Sequence, residues 1–223
     1  QLSGDYEIDG GFLKLELQGQ SAHGSTPEEG INAGIELLRF LYTLELDSNG
    51  RQFVSFANDY IFDNFKGQAF NMAHQHEELG EVSVNTGMIN YTEVDGGDFG
   101  INLRYPQGLD FEKGIKAFRD LISEKGFNIE DIHDQVPHYV DKNDDLVVTL
   151  LESYRSHVND TREAFTIGGG TYARTLERGV AFGAMFKNTV DTMHQKDEHM
   201  DIDELILATA IYIEAMYRLT VKH

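Results

Sequence analysis

Residues 81–105, EVSVNTGMINYTEVDGGDFGINLRY, read as two strands, Glu81 to Asn90 and Phe99 to Tyr105, joined through Asp95-Gly96-Gly97-Asp98. Acids and glycines between two strand-like runs are a hairpin signal, since glycine reaches the positive φ that tight hairpin turns require. A hairpin makes the sheet antiparallel and points to the α+β class. Upstream, Phe12 to Gln18 alternates Leu13, Leu15 and Leu17 with polar residues, the period of a half-buried strand. Ser25-Thr26-Pro27-Glu28-Glu29 reads as a helix start, followed by Ile31, Ile35, Leu38 and Leu41 at helical spacing. A second short helix is expected around Asp59 to Phe65. Downstream, Asp110 caps an amphipathic helix with Phe111, Ile115, Phe118 and Ile122, and Phe127 to Ile132 follows as an extended stretch. Counting the main elements, the order predicts a ferredoxin-like βαββαβ domain with two helices on one face of the sheet.

Pro137 marks a change of pattern, dividing the chain into expected domains 1–137 and 138–223. The second part predicts a helix at Asp144 to His157, a Gly-rich turn at Ile167-Gly168-Gly169-Gly170 and a short helix. A buried strand at Val180 to Met185, a polar loop through His194 and a long helix at Asp203 to Leu219 complete it. These pieces fit an α/β layer, yet too few strands are present to cover both faces of a sheet, so an incomplete domain is expected.

Composition narrows the function. The 223 residues carry 18 Lys+Arg against 38 Asp+Glu, a formal charge of −20, and most of the excess precedes His138. Such a field repels phosphate backbones and anionic lipid, which argues against nucleic-acid and membrane-surface partners. No Cys is present, which removes disulfide frameworks and thiolate zinc sites. The longest apolar stretch, near Leu205 to Tyr217, is interrupted by Glu214 and is too short for a span. The acidic N-terminus lacks the pattern of a secretory signal, and a cytoplasmic location is expected.

Several residues carry chemistry. His23 lies among small residues in Gly19-Gln20-Ser21-Ala22-His23-Gly24-Ser25, where an accessible imidazole can donate to a developing oxyanion or simply bond a nearby backbone group. Arg104, at a strand end, can clamp a carboxylate in bidentate fashion or pair one of the many acids. Gly168-Gly169-Gly170-Thr171-Tyr172-Ala173-Arg174 combines bare backbone N–H groups with a helix start, but lacks the lysine of a phosphate loop. His194, past a strand end, fits a metal ligand, with His199 nearby; His74 and His76 have chelating spacing within a polar loop.

GQSAHGSTPEEGINA, INLRYP, GGGTYAR and AFGAMF followed by MHQKDEH, in that order, resemble the dinuclear zinc dipeptidases of the peptidase V type, within the aminoacylase and carboxypeptidase-like metallopeptidases. The resemblance runs from about Gly10 to Leu219. It implies that residues 1–137 form a substrate-capping lid and 138–223 the C-terminal segment of the catalytic domain. It makes His23 the group that polarises the scissile carbonyl and Arg104 the holder of the substrate carboxylate. Gly169, Gly170, Thr171 and Arg174 then line the substrate pocket, and His194 ligates one of two zinc ions. The upstream HxD motif, paired glutamates and bridging aspartate of that family have no counterpart here. The expectation is therefore a portion of a dipeptidase, inactive alone, whose partners are a dipeptide and either the missing catalytic half or a second copy of the chain. Two alternatives stand beside it: a non-catalytic ferredoxin-like binding or dimerisation module, and an N-acyl-amino-acid amidohydrolase of the same superfamily.

Overall fold

The computed structural model describes residues 3–167, 170–183, 185–190, 192 and 196–221. The chain divides into two compact units, Gln1–Pro137 and His138–His223. The first contains β1 (Ser3–Asp9), β2 (Phe12–Gln18), α1 (Ala33–Tyr42), α2 (Ser48–Phe56), the two-residue strands β3 (Gln75–His76) and β4 (Gly80–Glu81), β5 (Ser83–Thr92), β6 (Gly96–Arg104) and α3 (Phe111–Ser123). The second contains α4 (Asp145–His157) and α5 (Ile202–Thr220). The architecture is mixed helix and strand, with small antiparallel sheets.

Among the described residues the strands pair as three two-stranded sheets, β1 with β2, β3 with β4 and β5 with β6. The continuous four-stranded sheet of the ferredoxin-like expectation is not formed. Phe127 to Ile132 runs without ladder partners; Phe127 instead packs its ring 4.1 Å from Phe56, so apolar burial substitutes for strand pairing there. The β5–β6 hairpin is present as the sequence predicts. Gly96 turns at φ +79°, and a Cβ on Gly97 would stand 2.5 Å from Phe53 Cε2, so the glycines serve both the turn and the close seating of α2.

The core of this unit joins Ile35 and Leu38 of α1, Phe53, Val54 and Phe56 of α2, Val84 of β5, and Phe118 and Ile122 of α3. Phe53 stacks on Phe99 of β6 at 4.4 Å. Two helix expectations shift. The short helix expected at Asp59 to Phe65 starts earlier and ends earlier: α2, capped by Asp47, which accepts from Asn49 N and Gly50 N, runs on into a π-helical turn, Ala57–Ile61. The Ser25 to Glu29 start gives only a short 3-10 turn, Pro27–Glu29, in which Thr26 caps no backbone group. Gly30 is extended, and a Cβ there would meet Gln20 O at 2.6 Å. The close pass of Gln20 and Ile31 interrupts the helical course, and α1 begins only at Ala33.

In the second unit, α4 and α5 pack through small and branched residues. Val147, Leu150 and Ser153 of α4 and Ala208, Ile211 and Ala215 of α5 are buried. Asp144 and Asp201 cap the two helices. Only one stripe of α5 is covered: Ile202, Leu205, Ile206, Ile213, Met216 and Tyr217 are exposed. The expected strand at Val180 to Met185 is absent among its described residues, because an apolar run without a neighbouring ladder has nowhere to place its N–H and C=O groups in sheet geometry. The short helix after the glycines is a 3-10 turn, Tyr172–Thr175. No described helix is long and apolar enough to cross a membrane.

Beyond α4, Asp160 is buried and accepts from both Nε and Nη2 of Arg162, at 2.8 and 2.6 Å, and from the Tyr154 hydroxyl at 2.8 Å. Arg162 first, then its own backbone donor, holds the Asp160 carboxyl well below the usual carboxylate range. A carboxyl depressed in the folded state contributes stability that is present above its unfolded value, about 3.9, and lost as pH falls through the folded one. Asp160→Asn should therefore lower the melting temperature at neutral pH. The gap to wild type should narrow as pH drops below about 4, in thermal melts followed by helix circular dichroism.

Asn32 joins two elements of the first unit through three hydrogen bonds. Its Oδ1 accepts from Gly34 N and Ile35 N at the start of α1, while its Nδ2 donates to Thr86 O of β5 at 2.7 Å. Asn32→Ala should cost about 2 kcal/mol in denaturant unfolding, the sum of a lost cap and a lost tertiary hydrogen bond. Asn32→Ser, which keeps a capping oxygen, should recover about half.

Candidate functional site

Two of the residues expected to hold substrate, Arg104 and the His23 loop, lie close to one another on the first unit. In the β5–β6 ladder Ser83 pairs with Arg104 and Asn85 with Asn102. Strand alternation then places these four on one face and Val84, Thr86, Ile101 and Leu103 on the other, against the core. A bulge between Thr86 and Met88 opens the ladder beside Thr86, whose carbonyl takes the Asn32 amide. Asn102 Oδ1 accepts from Arg104 Nε at 3.1 Å, which fixes the plane of the guanidinium.

The His23 loop lies against that polar face. Its ends are closed by a two-way bridge, Gln20 N to Ile31 O and Ile31 N to Gln20 O, both 2.9 Å. Lys66 Nζ reaches Glu28 Oε1 at 2.6 Å and ties the 3-10 turn of the loop to the unit; the ammonium holds the Glu28 carboxyl below its ordinary value. At the loop's centre a Cβ on Gly24 would sit 3.2 Å from Arg104 Nη2 and 3.9 Å from Asn85 Nδ2. The bare glycine lets the guanidinium approach the backbone next to His23. His23 itself is exposed, with Nδ1 2.6 Å from Ser25 Oγ. Just past β6, Tyr105 donates to Asp134 Oδ1 at 2.9 Å, and burial with that hydrogen bond pushes its phenol up to about 12.

Chemically, this corner offers a hydrogen-bonding imidazole beside a cation of fixed orientation. The cation suits a carboxylate, and the imidazole suits a neighbouring carbonyl oxygen. Asn102, Asn85 and Ser25 escaped the sequence reading. Their signal is local: Asn102 lies two residues before Arg104 on the same strand face, and Ser25 two residues after His23.

The remaining candidates lie elsewhere. Gly170, Thr171 and Arg174 belong to the second unit, where the Arg174 guanidinium occupies the space a Gly170 side chain would need. The residues after Gly170 form a 3-10 turn of four residues, too short for an anion-binding helix end, in place of the helix start expected there. Thr171, Tyr172, Ala173, Thr175 and Leu176, with Val180 and Ala181, border an open groove of about 530 Å³, and Arg174 is not part of its lining. Gly169 and His194 lie outside the described residues. His76 Nδ1 accepts from the backbone N–H groups of Glu78 and Leu79, both at 3.1 Å, and serves a local turn, while His74 Nε2 bonds Gln107 O and ties its loop to a distant one. His199 Nδ1 bonds Asp197 O. Among the described residues no group of three or more His, Cys, Asp or Glu side chains stands together to hold a metal ion.

Comparison with known proteins places this arrangement. The chain is 48% identical over 221 residues to a protein of Staphylococcus aureus strain MW2 and 47% identical to counterparts in strains MRSA252 and NCTC 8325, each bearing the name "Putative dipeptidase". Each alignment covers 99% of this chain and 47% of the relative, so the chain spans about half the length of the curated relatives it matches. The sequence pattern of peptidase family M20/M25/M40 matches residues 20–218, a stretch that includes the His23 loop, Arg104, α4 and all but the last two residues of α5. The chain belongs to peptidase family M20/M25/M40.

Proposed function

We propose that the chain forms the substrate-capping lid, residues 1–137, and a C-terminal catalytic segment, residues 138–223, of a cytoplasmic zinc-dependent metallodipeptidase. The observation that carries this reading is the seat of Arg104 against Gly24, which brings a carboxylate-binding cation to the backbone beside His23. A dipeptide with a free C-terminus needs both groups within the span of one residue. Arg104 takes the carboxylate, and His23 donates to the carbonyl oxygen of the scissile bond as negative charge develops there. Gly169, Gly170, Thr171 and Arg174 are proposed as pocket wall, and His194 as a zinc ligand.

A catalytic zinc takes three protein ligands, and the described residues do not by themselves supply such a set. In this proposal the other ligands and the general base come from a further segment of the protein or a second copy of the chain. The chain by itself turns over no dipeptide. What this chain contributes is binding and polarisation of the substrate. The names of the relatives favour a dipeptide over an N-acyl amino acid as substrate.

Two measurements on enzyme that carries this chain and turns over dipeptides test the assignment. His23→Ala should lower kcat by about 100- to 1,000-fold at unchanged metal content, the usual effect of losing one preorganised oxyanion donor. An unaltered kcat would return His23 to an ordinary loop residue. For Arg104, the comparison is between a dipeptide and its C-terminal amide: wild type should prefer the free acid by about 10- to 100-fold in kcat/KM, and Arg104→Ala should remove most of that preference. Equal preference in wild type and variant would assign the carboxylate to another group.

A further inference from the structure

We infer that Ser25 is a positioning residue that locks the neutral His23 ring as the Nε2–H tautomer. Two contacts carry the inference. The Ser25 backbone N–H donates to His23 Nδ1 at 3.3 Å, and Ser25 Oγ lies 2.6 Å from the same nitrogen. A backbone N–H is a donor under all conditions, so its long contact favours a lone pair on Nδ1, and the short contact from the Ser25 hydroxyl supplies most of the hold. With Nδ1 an acceptor, the Ser25 hydroxyl can only donate to it as well. The proton of the neutral ring therefore sits on Nε2, at the opposite, outward edge of an exposed side chain.

The geometry is built into the loop. Thr26 N donates to His23 O at 2.9 Å, closing a turn over His23 to Thr26 that folds the Ser25 N–H back over the ring. Thr26 Oγ1 bonds Glu29 Oε2 at 3.2 Å, and the Gln20–Ile31 bridge closes the loop behind it. Ser25 is partly covered while His23 is exposed, and the serine meets the ring at its Nδ1 edge. The consequence deepens the role proposed for His23 and rests on it: a carbonyl oxygen is polarised by an N–H, and the lock keeps one on Nε2 before substrate arrives, with no proton to be moved.

The test reads the tautomer directly, on this chain, by two-bond nitrogen–proton correlation spectra of ¹⁵N-histidine-labelled protein at about pH 9, where an imidazole is neutral. Wild type should show His23 with a bare, acceptor-type Nδ1 and a protonated Nε2. Ser25→Ala, which removes the hydroxyl donor, should shift both nitrogens toward the averaged values of a ring exchanging between tautomers; Ser25→Thr should restore the wild-type pattern. In dipeptide turnover, Ser25→Ala should lower kcat by about 10-fold with little change in KM, and Ser25→Thr should recover it. A protonated Nδ1 in wild type, or a Ser25→Ala spectrum identical to wild type, overturns the lock. If the spectra behave as expected while His23→Ala and Ser25→Ala both turn over at the wild-type rate, the lock stands and it is the donor role of His23 that fails.

Discussion

The side chain of Asn32 holds the first unit's working corner together. One amide caps α1 through its oxygen and fastens the hairpin through its nitrogen, at Thr86 O, 54 residues downstream. Because the oxygen and nitrogen of a single planar group serve both ends, neither contact can drift without the other. The loop that carries His23 begins beyond the Gln20–Ile31 bridge and ends one residue before Asn32. Arg104 sits on the strand paired to β5. Helix start, loop and hairpin face thus share one fixed point. Asn32 satisfies two of the otherwise orphaned N–H groups of α1, so the anchor also serves the helix it starts.

The aromatic layer below gives that corner a rigid floor. Phe53 of α2 meets Phe99 of β6 in a near-parallel stack, and Phe56 contacts Tyr60, Phe99 and Phe127. The same strand that sends Phe99 and Ile101 toward these rings presents Asn102 and Arg104 to the other side. Burial of one face therefore fixes the register of the polar face, since a one-residue slip would exchange the two sets. The second unit is built differently. Its two helices bury a narrow stripe, and the exposed Leu205, Ile206, Ile213 and Met216 leave much of the apolar surface of α5 wet.

What was legible in the sequence follows the range of the forces involved. The hairpin could be read because turn chemistry and alternation are local: Asp95-Gly96-Gly97-Asp98 needs only its own backbone. The cap of α3, Asp110, is legible for the same reason, an aspartate beside an apolar repeat, and apolar repeats alone mark α4 and α5. The start of α1 is not legible locally, because Ser25 to Glu29 carries a stronger local cap signature than Asn32, and what favours Asn32 is a carbonyl far along the chain. α2 was hidden by Ser48, Asn49 and Gly50, poor helix formers whose cost is met by the Asp47 cap and by burial of Phe53, Val54 and Phe56. The strand expected at Val180 rested on apolar content alone, and a strand exists only with a partner. At the site, His23 and Arg104 could be singled out by residue type. Their neighbours Asn85 and Asn102 could not, because an asparagine acquires its role from the geometry around it.

Charge adds a constraint on what this corner can admit. The first unit alone carries 9 Lys+Arg against 24 Asp+Glu, so an approaching anion meets a repulsive field before it reaches Arg104. At physiological salt that field decays within about 8 Å, whereas a guanidinium held in one plane by Asn102 acts at hydrogen-bond distance. A dipeptide with both termini free is a zwitterion of no net charge. It crosses the outer field without penalty and meets the cation only with its carboxylate. An N-acyl amino acid has lost its ammonium and arrives as a net anion, opposed over the last ~8 Å of its approach. On the proposed reading, an acidic surface around an oriented arginine would favour a ligand that carries its own compensating positive charge, a property of the proposed dipeptide substrate and not of its acylated analogue.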